Sequence, residues 1–230
     1  MKSYQRHLTE RDHDILEFVV RYRIGTTDLL RQACFEPNAT TENVARVLQR
    51  LQSRELIHRV VAPSEFSYCT ATRRTLELLG AEPRTPRPLT EQTLPVLLAV
   101  ATYCVAKGIR RLTSHEFSDL YPELWRPGMR SSSYVLVEID EKLRLELLIV
   151  DRGGAAHRIN SRVRRVIAQR KGLPKFQALM KAGRFRIAVL TGTPEQAEKI
   201  NRRVHRRPFG PIEVTTFVIP ELAELLMRKR

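Results

Sequence analysis

The stretch Thr26–Arg59, TTDLLRQACFEPNATTENVARVLQRLQSRELIHR, constrains this chain more than any other. It reads as a helix, a short polar turn, a longer helix and then a strand. Leu29, Leu30 and Ala33 give the first helix an apolar stripe. Val44, Val47, Leu48 and Leu51 recur at i, i+3, i+4 and i+7, the spacing of one buried helical face. Asn38, Ala39 and Thr40 fill the turn, and Thr40 is placed to cap the second helix through Asn43. Two helices so joined, the second turning Thr41, Asn43, Arg46, Gln49 and Arg50 outward, suit a helix-turn-helix. The same pattern also serves a helical pair packed in any small domain.

The flanking sequence extends the motif. Upstream, Thr9 with Asp12 starts a helix whose inner side is Ile15, Leu16, Val19 and Val20 and whose stop is Gly25. Downstream, Leu56–Val61 and Ser67–Thr70 read as strands around a turn at 62–66, a hairpin placed like the wing of a winged helix. Thr72 begins a further helix that Gly80 ends. Residues 81–88 (AEPRTPRP) are a proline-rich linker.

Charge decides which partners suit such a chain. The formal net charge is +15 over 230 residues, which favours a polyanion, either nucleic acid or an anionic membrane surface. Residues 1–84 carry 13 basic and 11 acidic residues, a net +2, while residues 85–230 carry 27 and 14, a net +13. An N-terminal reader alone therefore leaves most of the electrostatics unexplained. No uncharged stretch reaches membrane-spanning length and the N-terminus lacks an apolar signal core, so a cytoplasmic protein is expected. Cys34, Cys69 and Cys104 are too widely spaced for a zinc site and read as buried thiols.

Beyond the linker, Leu89–Lys107 is a largely apolar helix capped by Thr90 and buried on two sides, suited to a dimer contact or to packing between domains. Thr113–Leu124 is a short helix on which His115 and Glu116 are adjacent and do not face each other. Segments 132–139 and 143–151 form a hairpin. A basic helix covers about 157–170, with Ile159, Val163, Val166 and Ile167 inward and Arg158, Arg162, Arg165 and Gln169 along another face. Helical character extends through Phe176 and Leu179, then Phe185–Leu190 is a strand, a helix opens at Thr193–Pro194, Ile212–Val218 is a strand, and Pro220–Met227 closes the chain. The order ββαβαβ(α) implies a small α/β domain with a mixed sheet. From Arg152 through Arg184 there are ten Lys/Arg and no Asp/Glu, a run suited to phosphate, and Lys199, Arg202, Arg203, Arg206 and Arg207 add a second patch.

Two segments carry a family resemblance. LTERDHDILEFVVRYRIGTTDLL, with VARVLQRLQSRELIHRV and a tyrosine-bearing return strand, resembles the winged helix of plasmid replication-relaxation proteins. The hairpin ending at Asp151–Arg152–Gly153 resembles the E-x-D-R-G region of that family's second domain. Members occur on plasmids and integrative elements, and their second domain is similar to restriction-endonuclease-like folds, which hold Mg²⁺ on paired carboxylates. Here Pro127–Gly128 stands where the family has Pro-Asp, and Ile149 stands where it has Glu. Asp151 remains, free to pair with Arg152, with Glu146 and Glu138 as stand-ins.

The expectation is thus a two-domain α+β/α/β protein. Residues 1–84 form a winged helix-turn-helix, 85–125 connecting helices suited to dimerisation, and 126–230 a basic α/β domain resembling a degenerate restriction-endonuclease-like fold. Double-stranded DNA is the expected partner, met by Thr40, Thr41, Asn43, Arg46, Gln49, Arg50 and Arg54 and by Arg158, Arg162 and Arg165. No catalytic residue, metal or cofactor is expected, nor a membrane partner. The function implied is a sequence-specific transcriptional regulator of a mobile element, acting as a homodimer. The alternative is a plasmid replication or DNA-processing factor with residual metal-dependent nuclease activity. An RNA-binding protein is a weaker third class, for want of interleaved aromatics and an RNP-like signature.

Overall fold

Each of the first three helices begins on a threonine. In the computed structural model, which describes residues 8–61, 66–82, 88–126, 129 and 132–227, α1 runs Glu10–Tyr22. The Thr9 hydroxyl accepts from the Asp12 amide at 3.2 Å and the Asp12 carboxylate accepts from the Thr9 amide at 3.1 Å, a closed capping box. Thr26 caps α2 (Thr27–Cys34) and Thr40 caps α3 (Thr41–Ser53), each accepting from the amide three residues on. Ile15, Leu16, Val19, Leu30, Val44 and Leu51 are fully buried and hold the three helices together. The apolar stripe of α2 is narrower than its sequence suggests, because Ala33 is exposed.

The helix stop expected at Gly25 lies earlier. Helix α1 ends at Tyr22, and Arg23 takes the left-handed conformation at φ 64° with its amide bonded to the Val19 carbonyl. Gly25 instead exchanges two backbone hydrogen bonds with Cys69, at 3.0 and 2.8 Å. A Cβ there would stand 3.0 Å from both the Cys69 sulfur and Leu30, so the glycine permits close approach rather than termination.

Strands β1 (Ile57–Val61) and β2 (Ser67–Ala71) pair antiparallel, Ile57 opposite Ala71 and Val61 opposite Ser67. Of the expected wing turn, residues 62–65 lie outside the described residues. Helix α4 (Arg73–Leu78) follows on the Thr72 cap, and the hydroxyls of Thr72 and Thr75 both reach the Leu56 carbonyl, tying α4 to the hairpin. Three helices and a two-stranded wing make this a winged helix-turn-helix unit.

Residues 83–87 of the expected linker also lie outside the described residues. Helix α5 (Leu94–Lys107) starts three residues later than the Thr90 cap suggested, because Thr90–Thr93 forms a turn ahead of it. Leu97–Ala101, Tyr103 and Cys104 are all buried, more than one stripe of the helix. The chain divides within α5 into two compact units, Met1–Ala101 and Thr102–Arg230. No helix among the described residues is long and apolar enough to cross a membrane.

The second unit is built on a five-stranded sheet in the order β3-β4-β5-β6-β7. It comprises β3 (Arg111–Leu112), α6 (Ser114–Leu120), β4 (Ser133–Ile139), β5 (Lys142–Val150), α7 (Ala156–Lys171), α8 (Pro174–Lys181), β6 (Phe185–Thr191), α9 (Pro194–Arg206), β7 (Glu213–Val218) and α10 (Pro220–Met227). Strands β3, β4 and β5 are antiparallel, whereas β5, β6 and β7 are parallel, so the sheet is mixed. The two-residue edge strand β3 was not expected from the sequence. Asp140 and Glu141 both adopt positive φ and close the β4–β5 hairpin in two residues. Leu145, Leu147 and Ile149 of β5 face Ile159, Val163 and Ile167 of α7, Phe176 and Met180 of α8, and Ile200 of α9. The alternate residue Glu146 points to the other face.

Candidate nucleic-acid interface

On α3, at 100° per residue, Glu42, Arg46, Gln49 and Ser53 lie opposite the buried Val44, Leu48 and Leu51. Thr41, Asn43, Arg46 and Gln49 are all exposed. Arg46 donates to the Asn43 side chain at 2.9 Å, so these two present one joined polar surface. The Thr41 hydroxyl donates to Glu42 at 3.3 Å. Glu42's own backbone N–H, then the hydroxyls of Thr40 and Thr41, hold its carboxyl below the ordinary range, so it stays ionised. The Thr40 hydroxyl also accepts from the Asn43 amide at 3.3 Å as the helix cap.

Arg50 and Arg54 are placed differently. The Arg50 guanidinium meets the Asp12 carboxylate of α1 at 2.6 Å; Asp12 is 0% exposed and the Arg50 side chain 43%. Arg50 therefore joins the helix bearing the polar face to α1. Arg54 is the C-cap of α3, half-buried, and its carbonyl accepts from Arg74. The cross-helix carboxylate was hidden in the sequence, because Asp12 also satisfies a local capping pattern that accounts for it completely.

In the second unit the basic residues divide between two faces of α7. Arg162 is half-buried and donates to the Val150 carbonyl at 3.0 Å. Burial, then the neighbouring Arg152 and Arg165, push its pKa down. Arg158 and Arg165 are exposed. The other face, with His157, Ser161 and Arg164 at i, i+4 and i+7, packs beside α9. Between the two helices lies a cleft of about 850 Å³, lined on the α9 side by Lys199, Arg202, Arg203, Arg206 and Arg207 and by no carboxylate. None of Arg158, Arg162 and Arg165 lines it. Arg164 lies over the Phe209 ring at 5.0 Å and also borders a second cavity of about 580 Å³, whose walls include Ile167, Met180, Phe209 and Ile212. Arg164 was not among the residues expected from the sequence; the signal for it was its helical spacing from His157.

The acids of the hairpin do not converge. Asp151 is buried at the end of β5, accepting from the Gly153 amide at 3.0 Å and from the Gln196 amide group at 2.9 Å. These are its hydrogen-bond donors, Arg162 interacts with it electrostatically, and Arg152 is exposed. Glu146 is on the opposite face, fully buried, 2.7 Å from Arg186 and accepting from the Tyr103 hydroxyl at 2.6 Å. Burial raises the carboxyl pKa of Glu146 against the opposing pull of Tyr103 and Arg186, and burial likewise raises that of Tyr103. Glu138 is exposed on β4, and Pro127–Gly128 lies outside the described residues. Among the described residues no group of three His, Cys, Asp or Glu could hold a metal ion. Burial pushes the thiols of Cys34 and Cys69 up to about 12, so both stay protonated at neutral pH.

A scan against family models and searches of curated proteins and of solved structures return no match to this chain.

Proposed function

We propose that this protein reads duplex DNA sequence-specifically through α3 and acts as a transcriptional regulator of a plasmid, phage or integrative element. The observation that carries the reading is the exposed polar face of α3 within a winged helix-turn-helix. Helices so capped and packed enter the major groove, where Asn and Gln pair with adenine and Arg with guanine. Asn43, Arg46 and Gln49 are the base readers, Thr41 and the first turn of α3 meet backbone phosphate, and Arg50 holds the helix in place through Asp12. A single winged helix buries a modest interface, so a homodimer on a repeated half-site supplies the remaining affinity. The resemblance of the winged helix to plasmid replication-relaxation proteins supports the mobile-element setting.

The second domain is read as a scaffold without nuclease chemistry, since Asp151 is held by Gln196 and Gly153 and Glu146 by Arg186 and Tyr103. Supercoiled plasmid incubated with the protein and Mg²⁺ or Mn²⁺ should stay intact. Nicking that Asp151→Ala abolishes would overturn this part of the reading. The regulator itself is tested by footprinting on the DNA upstream of the gene and by affinity for that site against a scrambled duplex over a salt series. A protected repeat at helical-turn spacing is expected, with affinity falling steeply as salt rises. Equal affinity for both duplexes at every salt concentration would refute sequence-specific reading.

A further inference from the structure

The cleft between α7 and α9 is built differently from a surface that rests on duplex DNA. Its cations line a concavity between two adjacent helices. Glu198 of α9 pairs with Arg202 at 3.6 Å and Glu195 interacts electrostatically with Lys199, while no ion pair among the described residues engages Arg203, Arg206 or Arg207. Lys199, Arg203 and Arg206 recur at i, i+4 and i+7, one line along the helix. At about 1.5 Å rise per residue that line is about 10 Å long, which spans roughly three nucleotides of one strand.

What lies beyond the row decides the form of the ligand. Arg164, stacked on Phe209, separates the basic cleft from the cavity walled by Ile167, Met180, Phe209 and Ile212. Guanidinium planes and aromatic rings are the platforms on which unpaired bases stack. A duplex turns its base faces inward and has nothing to place in an apolar cavity, whereas a single strand has. A charged track leading to a stacking platform is the design of a single-strand site.

We propose that this cleft binds a single-stranded nucleic-acid segment, its phosphates along Lys199, Arg203 and Arg206 and one unstacked base at Arg164 and Phe209. The site is separate from α3 and does not depend on the operator reading. A regulator that also held a displaced strand would bind most firmly where its DNA is locally open.

The test uses the full chain and fluorescein-labelled 12-mers in an anisotropy titration: oligothymidylate, oligouridylate and a mixed-sequence duplex of the same length. Oligothymidylate or oligouridylate should bind more tightly than the duplex, and whichever of the two is preferred identifies DNA or RNA as the source. Replacing Arg203→Gln and Arg206→Gln together should weaken single-strand binding about tenfold or more. It should also lower the salt slope by about 1.4, about 0.7 for each phosphate no longer neutralised. Affinity of the operator duplex should change less than twofold. Conversely Gln49→Ala should leave single-strand binding intact, so that failure of the α3 reading and failure of this one are distinguishable.

Unchanged single-strand affinity in the double variant would overturn the proposal, as would an equal loss on single strand and duplex, which would mark the cleft as a general polyanion surface. Photocrosslinking of wild-type protein with a 5-bromodeoxyuridine 12-mer gives a measurement that needs no variant. Adducts on the peptide containing Phe209 are expected, and adducts confined to other peptides would refute the site.

Discussion

Arg50→Ala separates a residue that reads DNA from one that holds the reader. In the folded chain its guanidinium meets Asp12 at 2.6 Å, and Asp12 is wholly buried. Removing Arg50 leaves that carboxylate with the Thr9 amide as its remaining hydrogen-bond donor from the capping box. A hydrogen bond to a charged group contributes about 1.5–3 kcal/mol. Arg50 is itself 43% exposed, so water can partly replace it, and a cost of about 2 kcal/mol is expected. That corresponds to roughly a 30-fold rise in the opening of α1 and α3. Hydrogen exchange read by mass spectrometry on peptides from residues 10–53 measures it directly. Tryptophan fluorescence would not, since the one tryptophan of the sequence, Trp125, lies in the other unit. Combining Arg50→Ala with Asp12→Asn should cost less than the two single changes added, because each removes the same ion pair. Where the unit stays folded, the ratio of operator to scrambled-duplex affinity should hardly change. If exchange in α1 and α3 is unaltered while operator affinity alone falls tenfold, the ion pair is incidental and Arg50 is a base reader.

Three further outcomes follow from the same structure. Gln49→Ala, at an exposed position on α3, should cost about 1–3 kcal/mol on the operator and little on a scrambled duplex, measured by anisotropy at fixed salt. Gly192→Ala would set a Cβ 2.8 Å from the backbone nitrogen of Ala223 in α10, so urea unfolding followed at Trp125 should show a loss of about 1–3 kcal/mol. Glu146 has its folded pKa raised above the ordinary 4.5, so its protonated form favours folding. Its contribution is fullest below that value and is lost as pH rises through the folded pKa, with a slope of at most about 1.4 kcal/mol per pH unit. Glu146→Gln should remove that decline from a series of urea melts above pH 4.5, and an unchanged pH profile would show that Glu146 does not titrate with folding.

Most elements and their order were legible in the chain. Thr9, Thr40, Thr72, Thr113 and Thr193 all act as helix caps, because a cap is a contact between residues three apart and is written locally. The spacing of Val44, Leu48 and Leu51 set which side of α3 is buried for the same reason, whereas β5 is buried on both faces from Leu145 to Val150. The order of strands and helices after residue 132 was enough to imply a mixed sheet. Which polar groups meet, by contrast, was settled only when the elements packed. Arg50 reaches across 38 positions to Asp12, Arg186 reaches across 40 to Glu146, and the Gln196 side chain takes the carboxylate of Asp151. None of these has a periodic signature, since nothing in the local spacing of either partner depends on the other. The same holds for Gly25, whose neighbour in space is Cys69 rather than the helix it follows. The basic run of α7 likewise looked uniform along the chain. Packing against α9 divided it, turning Arg164 into a cleft and Arg162 onto a backbone carbonyl, because a helix has as many environments as it has neighbours.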